Sequence, residues 1–264
     1  MGVDHQFRTR TAKDLIMKTH LHTPHRGLLL SLMLCLLLDS TVAAQKSPKV
    51  SATTPGDSSS ESESDSDVKQ ERRIVRIVGD IKLDVRQWPL IGKPDAKYVL
   101  VEMFDYTCPH CRDLHHELDA VLKKFGDDLA VITLQVPLNA TCNDQVGTTE
   151  SQHRDACEIA NLAVTVWRLE PKKYHEYHDW LFKPTQPRTS ADARKRAIEV
   201  VGEERLKKTL ATGVPQKFIA SHVKLYTKAG AGSVPKVLFP NITLVGNVGS
   251  DKLTETIEQQ LKTQ

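Results

Sequence analysis

The chain has 264 residues, of which 39% are hydrophobic and 26% are charged, as in ordinary globular proteins of one or two domains. Its formal net charge of +3 is small and its basic residues are dispersed, so the composition does not favour a nucleic-acid partner. Any functional signal must therefore come from individual motifs.

One short apolar run, residues 27–38, follows basic residues and precedes small ones. This order is typical of a secretory signal peptide, and the run is too short for a stable membrane span. We predict a signal peptide over residues 1–44, cleaved after Ala44, with an uncleaved signal anchor as the alternative; Met17 would be a more usual start than the first residue. Cleavage removes Cys35 and leaves four of the five cysteines, an even number that suits an exported disulfide protein.

A polar linker is predicted over residues 45–72. Its stretch 58–67 consists of serine and acidic residues and contains no apolar side chain, so it cannot bury a core. A spacer ahead of the folded domain is the simpler interpretation, and a regulatory or calcium-binding tail is the alternative.

The folded part begins with two short predicted strands, 74–78 and 81–83, joined at a glycine turn. Residues 98–104 are almost continuously apolar, which is typical of a central strand buried on both faces. The segment up to Phe125 has apolar residues at helical spacing, and residues 129–136 form another strand. Strand, helix and strand in this order predict a parallel pair with a right-handed crossover.

The second half of the chain is predicted to be mostly helical before it returns to strands. The predicted helices are 156–169, 172–182, 190–201, 203–210 and 216–228. A hairpin of 233–239 and 242–245 follows. The last predicted helix runs over 251–261, with Ser250 as its N-cap.

The tetrad Cys108-Pro109-His110-Cys111 stands between the central strand and its helix. Unpaired N–H groups and the macrodipole at a helix N-terminus favour the thiolate, which is the reactive form of cysteine. A CxxC pair is also half of a zinc site, but structural zinc needs four ligands and the other two mature cysteines lie far apart. We predict redox chemistry, with no metal and no other cofactor.

The segment from Pro89 to Cys111 resembles the DsbA-like branch of the thioredoxin superfamily, and the likeness covers roughly residues 73–264. It implies an α/β, thioredoxin-like fold with a mixed central sheet and an inserted helical domain. The expected parts are 73–140, which carries the CPHC tetrad, the helical insert 141–228, and 229–264 with the closing hairpin and helix.

The resemblance also implies an enzyme, a thiol–disulfide oxidoreductase of the periplasm or another secretory compartment. Its expected partners are cysteine-containing exported proteins and a separate redox-recycling protein. The direction of disulfide transfer is not readable from one sequence. A non-catalytic thioredoxin-fold binding module, in which the CPHC disulfide is structural, is the alternative function.

Within the tetrad, the resemblance implies that Cys108 is the attacking thiol and Cys111 the resolving thiol. Pro109 belongs to the same catalytic tetrad. His110, if protonated, would stabilise the Cys108 thiolate; a solvent-exposed helix residue without such a role is the alternative.

Two further segments are expected at the site. Glu102 lies in an otherwise apolar strand, where a carboxyl group is costly. Thioredoxin-like proteins commonly keep an acid here to accept the proton of the inner thiol, and a plain ion pair is the alternative. Val234-Pro235 matches the cis-proline element of the family, in which the backbone of Val234 would pair with a substrate. Asp105 is interpreted as structural.

Cys142 and Cys157 flank a polar loop. They could form a structural disulfide, which would contribute about 3 kcal/mol in the chain-entropy model, or a second redox pair that relays electrons; we favour the first. His175 and His178 lie one helical turn apart without an evident third metal ligand, so an ordinary packed helix is favoured. His115 and His116 are expected on a helix surface.

Overall fold

The computed structural model describes residues 72–261. The predicted signal peptide and nearly all of the predicted linker lie outside these residues, so both stay predictions. The strands are β1 (Ile74–Ile77), β2 (Ile81–Asp84), β3 (Leu90–Ile91), β4 (Tyr98–Phe104), β5 (Leu129–Gln135), β6 (Lys236–Leu238) and β7 (Thr243–Val245). The α-helices are α1 (Pro109–Phe125), α2 (Ala156–Leu169), α3 (Tyr174–Phe182), α4 (Ser190–Val201), α5 (Glu203–Ala211), α6 (Val214–Lys228) and α7 (Ser250–Gln260).

Five strands form a mixed sheet in the order β3-β5-β4-β6-β7. β4 and β5 are parallel, with Glu102 opposite Thr133, and every other neighbouring pair in this sheet is antiparallel. All residues of β4 and β5 are buried, as expected for strands that lack hydrophobic alternation. The mixed sheet, with helices α2 to α6 between β5 and β6, is the architecture that the resemblance implies.

β1 and β2 form a separate two-stranded hairpin. Gly79 and Asp80 make its turn with φ values of 72° and 54°. Two consecutive residues with positive φ are typical of the tight turns that match the twist of a hairpin. Val78 then donates its N–H to the carbonyl of Phe239 at 2.9 Å, which anchors the hairpin to the end of β6.

Strand β3 was missed by the sequence analysis. It consists only of Leu90 and Ile91, which pair antiparallel with Ile132 and Val131. Two residues show no periodicity, so only the tertiary pairing identifies this edge strand.

The predicted N-cap of the last helix is wrong. Gly249 occupies the cap position, and Ser250 is the first residue of α7. The backbone N–H of Ser250 donates to the Glu117 carboxylate of α1 at 2.8 Å. A side chain from another helix therefore supplies the acceptor that a local serine was expected to provide. Within residues 72–261, no helix combines the length and the apolar character needed to cross a membrane.

Candidate active site

The CPHC tetrad lies at the junction between β4 and α1. Cys108 is the N-cap residue of α1, with φ −85° and ψ 123°, and Pro109 is the first helical residue. Proline suits this position because its φ is already helical and its missing N–H would have no partner there. The Cys108 N–H donates to the Asp105 carbonyl at 3.1 Å, and the Cys108 carbonyl accepts from Arg112 at 3.2 Å.

The two thiols of the tetrad are free and differ in access to solvent. Cys108 is 5% exposed and Cys111 is fully buried at 0%. Pro109 and His110 are exposed beside them. Cys108 is therefore the outer thiol and Cys111 the inner one.

The two thiols also differ in acidity. The pKa of Cys108 is lowered to about 7, chiefly by a hydrogen bond from the Cys111 thiol. Burial and the charge of Asp105 raise this pKa, while the backbone N–H groups of Cys111 and His110 lower it further. Burial, and then the bond to Cys108, raises the pKa of Cys111 well above its usual value. Near neutral pH, Cys108 is substantially thiolate while Cys111 keeps its proton.

Asp105 holds the loop between β4 and the tetrad. Its carboxylate accepts hydrogen bonds from the N–H and the hydroxyl of Thr107, each at 2.6 Å, and from the N–H of Leu138 at 2.5 Å. The Thr107 hydroxyl also lies 2.7 Å from Nδ1 of His153. The N–H of Asp105 itself points at Cys111 Sγ, 3.4 Å away. Asp105 thus fixes the backbone that carries the inner thiol.

Glu102 is buried in β4 at 1% exposure, and burial raises its pKa to about 8. Its Oε1 has no hydrogen-bond partner among the described residues. It lines a cavity of about 10 Å³ together with His115 and His178. Within residues 72–261, no hydrogen bond joins Glu102 to Cys111. The carboxyl group that acts on the Cys111 thiol is that of Asp105. The proton-accepting role of Glu102 therefore stays a prediction.

The expectation that His115 lies on the surface is wrong. It is 8% exposed, and its ring stacks on Phe182 of α3 with centroids 4.7 Å apart. His178, also on α3, is fully buried, with its Nδ1 2.9 Å from the Tyr106 hydroxyl. Burial lowers the pKa of His115 to about 4, and burial also lowers the pKa of His178 well below its usual value. Both rings are buried because α3 covers α1, a packing that sequence periodicity does not reveal.

The Val234–Pro235 peptide bond is cis, and both residues are buried. In the antiparallel register of β4 and β6, Lys236 lies opposite Met103. Continued by two residues, this register sets Val234 opposite Asp105. The loop therefore reaches the end of the sheet at which the tetrad begins.

Cys142 and Cys157 are joined by a disulfide that ties the loop after β5 to the first turn of α2. Nearby, the side-chain amide of Asn139 donates to the carbonyls of His153 and Arg154 at 3.1 and 3.0 Å. The loop is thus fastened both covalently and by hydrogen bonds. Neither observation distinguishes a structural bond from a second redox pair.

Two free thiols of unequal acidity at a helix N-terminus, on a mixed sheet with a cis-proline loop at the same end, define a thiol–disulfide oxidoreductase. The family model described as thioredoxin matches residues 85–259. This chain belongs to the thioredoxin family, which confirms the predicted fold class and enzyme class.

Relatives of known name are consistent with the DsbA-like branch. Disulfide bond formation protein D of Bacillus subtilis is 23% identical over 192 residues, which cover 67% of this chain and 79% of that protein. Proteus mirabilis ScsC superposes with a TM-score of 0.53 and 25% identity, over 66% of this chain and 72% of ScsC. Bacillus subtilis BdbD superposes with a TM-score of 0.53 and 20% identity, over 68% of this chain and 95% of BdbD. The resemblance inferred from the sequence is confirmed.

Proposed function

We propose that Cys108 and Cys111 are the redox-active pair and exchange disulfides with the cysteines of exported proteins. The observation that carries this proposal is the opposite shift of the two thiol pKa values, down at the outer Cys108 and up at the buried Cys111. A thiol with a low pKa is a good leaving group, so a substrate sulfur bound to Cys108 is readily released.

In the oxidising direction, a substrate thiolate attacks Sγ of Cys108 in the oxidised pair. The Cys108–Cys111 bond breaks, a substrate–Cys108 disulfide forms, and Cys111 leaves and takes up a proton. A second substrate thiolate attacks the substrate sulfur of the mixed disulfide and expels the Cys108 thiolate. Two electrons pass from the substrate to the pair, and the substrate gains a disulfide. The reverse steps reduce a substrate.

Glu102 supports this chemistry as the group that supplies or accepts the Cys111 proton. Its support is a pKa of about 8 in a buried site, which lets the carboxyl group change protonation near neutral pH. The backbone of Val234 is proposed to pair with a bound substrate, because the strand register brings it to the tetrad end of the sheet. A cysteine peptide held on Cys108 should then protect the Val234 amide from hydrogen exchange.

Export is proposed from the signal-peptide pattern and from a disulfide outside the tetrad, because disulfides persist in oxidising compartments. A periplasmic thioredoxin-like protein of Salmonella enterica shares the fold, with a TM-score of 0.52 over 66% of this chain and 90% of that one. A separate protein is proposed to recycle the pair. The reduction potential of the pair, measured against glutathione, determines whether the protein oxidises or reduces its substrates.

Trapping tests the assignment of the pair. With a disulfide-bonded model substrate, Cys111→Ala should accumulate a mixed disulfide at Cys108, because the resolving thiol is gone. Cys108→Ala should accumulate none. A mixed disulfide at Cys111, or equal trapping in both variants, contradicts the assignment.

For Cys142 and Cys157 we propose a structural bond, since it ties a loop already held by hydrogen bonds. Mass mapping after mild reduction should find this disulfide intact while the Cys108–Cys111 pair opens. Opening of both pairs together would support the relay instead.

A further inference from the structure

A pocket of about 550 Å³ lies where the chain before β3 meets the helical insert. This volume is within the range of roughly 300–1,000 Å³ that is usual for small-molecule sites. The pocket shares no lining residue with the CPHC tetrad. It is lined by Arg86, Gln87, Trp88, Trp167, Arg168, Val214, Lys217, Phe218 and Ser221.

The walls of this pocket are aromatic. Phe218 of α6 stands edge-on to both indoles, with ring centroids 6.3 Å from Trp88 and 5.5 Å from Trp167. Trp88 is also held against the buried ring of His222, 5.7 Å away. Mutual contacts of this kind fix large apolar surfaces in place, so the wall is formed before any ligand arrives.

The charged residues of the pocket are all basic. Arg86, Arg168 and Lys217 line it, and no aspartate or glutamate does. In the part of the chain that the structure describes, Nε and Nη1 of Arg86 are buried without an acceptor. Arg168 lies over the Phe218 ring at 5.2 Å. An anion in the pocket would supply the acceptor that these buried N–H groups of Arg86 lack.

Other arginines of the insert show that this lack of carboxylate partners is local. Arg194 is paired with Glu158 at 2.7 Å, and Arg205 with Glu170 at 2.7 Å. Among the residues 72–261, Arg86, Arg168 and Lys217 form no such ion pair. The pocket thus concentrates uncompensated positive charge beside an apolar surface.

We propose that this pocket binds a small organic anion with an apolar body, such as an aryl or alkyl carboxylate. The body would pack between Phe218 and the two indoles, and the acidic group would face the three basic residues Arg86, Arg168 and Lys217. We commit to a small molecule as the occupant because a cavity of about 550 Å³ is within the usual size range of small-molecule sites. This binding activity is separate from disulfide exchange and does not depend on the redox pair.

The test uses the full chain and the probe 1-anilinonaphthalene-8-sulfonate, which joins an aromatic body to one negative charge. N-phenyl-1-naphthylamine, which lacks the sulfonate, is the neutral comparison. The chain has three tryptophans, so indole N–H signals in NMR report the site of binding. Trp88 and Trp167 should shift during the titration. Trp180, which packs on Tyr177 and Arg188 outside the pocket, should not.

The charge requirement is tested with the variant Arg168→Met/Lys217→Met. Loss of two charge-assisted contacts should weaken binding of the anionic probe by at least about tenfold and leave the neutral probe almost unchanged. The control is Lys207→Met/Lys228→Met, which removes the same charge from exposed positions outside the pocket. This control should bind both probes as the wild type does.

Three results would overturn the proposal. The first is equal affinity of the anionic probe for the pocket variant and its control. The second is a shift of the Trp180 indole as large as those of Trp88 and Trp167. The third is an unchanged affinity of wild type when the sulfonate is omitted from the probe.

Discussion

Asp105 and Glu102 are buried carboxyl groups three residues apart, and they differ in the hydrogen bonds that they accept. Asp105 accepts three hydrogen bonds from Thr107 and Leu138. Glu102 has an oxygen without a partner among the described residues, and only burial acts on its pKa. A carboxylate with donors stabilises the backbone that provides them, whereas one without donors is free to exchange its proton. The comparison gives Asp105 a holding role and supports the proton-transfer role that is proposed for Glu102.

The same contrast separates the two thiols. Hydrogen bonds lower the pKa of Cys108, and burial raises that of Cys111. At Cys108 the hydrogen bonds outweigh burial, whereas at Cys111 and at Asp105 burial prevails and raises the pKa.

The largest expected effect follows from removing the hydrogen-bonded carboxylate. Asp105→Ala leaves the N–H groups of Thr107 and Leu138 without an acceptor, and we expect unfolding free energy to fall by about 4 kcal/mol. Urea denaturation measures this loss. Asp105→Asn keeps one acceptor oxygen and should lose less. A smaller loss for Asp105→Ala than for Asp105→Asn would break the comparison.

A second prediction concerns the pH dependence of stability. The pKa of Glu102 is raised from 4.5 to about 8 in the folded chain, so the unfolded chain releases its proton first as pH rises. Stability should therefore fall as pH rises from 4.5 to about 8 and level off above that value. Glu102→Gln removes this loss and should be more stable than wild type above pH 8.

Urea titrations across that pH range measure the difference between Glu102→Gln and wild type. Glu258→Gln on the exposed face of α7 is the matched control and should follow the wild-type curve. Parallel curves for wild type and Glu102→Gln would show that Glu102 does not titrate in the way that its burial implies.

A third prediction tests the same carboxyl group in catalysis. Glu102→Gln cannot transfer a proton, so resolution of the Cys108 mixed disulfide through Cys111 should slow by about tenfold or more. Rapid-quench measurement of that step gives the rate. The Glu258→Gln control should keep the wild-type rate. An unchanged rate for Glu102→Gln would assign the proton transfer to another group.

The sequence predicted the parts of this fold that have strong local signals. The apolar runs of β4 and β5 and the CPHC tetrad between strand and helix needed no tertiary information. The burial of His115 could not be predicted without tertiary information, because α3, which lies far along the chain, packs against α1. Strand β3 was missed for the same reason, since its two residues are defined only by pairing with β5.

The roles of individual site residues could be predicted from the sequence only in part, for a similar reason. The presence of Glu102 in an apolar strand could be read from the sequence, but its unpaired oxygen could not. The sequence suggested that the His110 side chain acts on Cys108; the structure adds the backbone N–H of His110, which lowers the same pKa, and the role of the side chain stays a prediction. Such roles depend on which atoms the fold brings within hydrogen-bond distance, and residue type alone does not determine this.

The smallest expected effect sharpens the comparison at Cys108 itself. The hydrogen bond from the Cys111 thiol is the largest cause that lowers the pKa of Cys108 to about 7. Cys111→Ala removes that donor, so the pKa of Cys108 should rise, and its alkylation at neutral pH should slow as the thiolate fraction falls. His110→Ala keeps the backbone N–H and should leave the pKa near its wild-type value. Thiolate absorbance as a function of pH measures both, with Cys108→Ala as the baseline. A larger rise in His110→Ala than in Cys111→Ala would show that the imidazole, and not the inner thiol, stabilises the reactive sulfur.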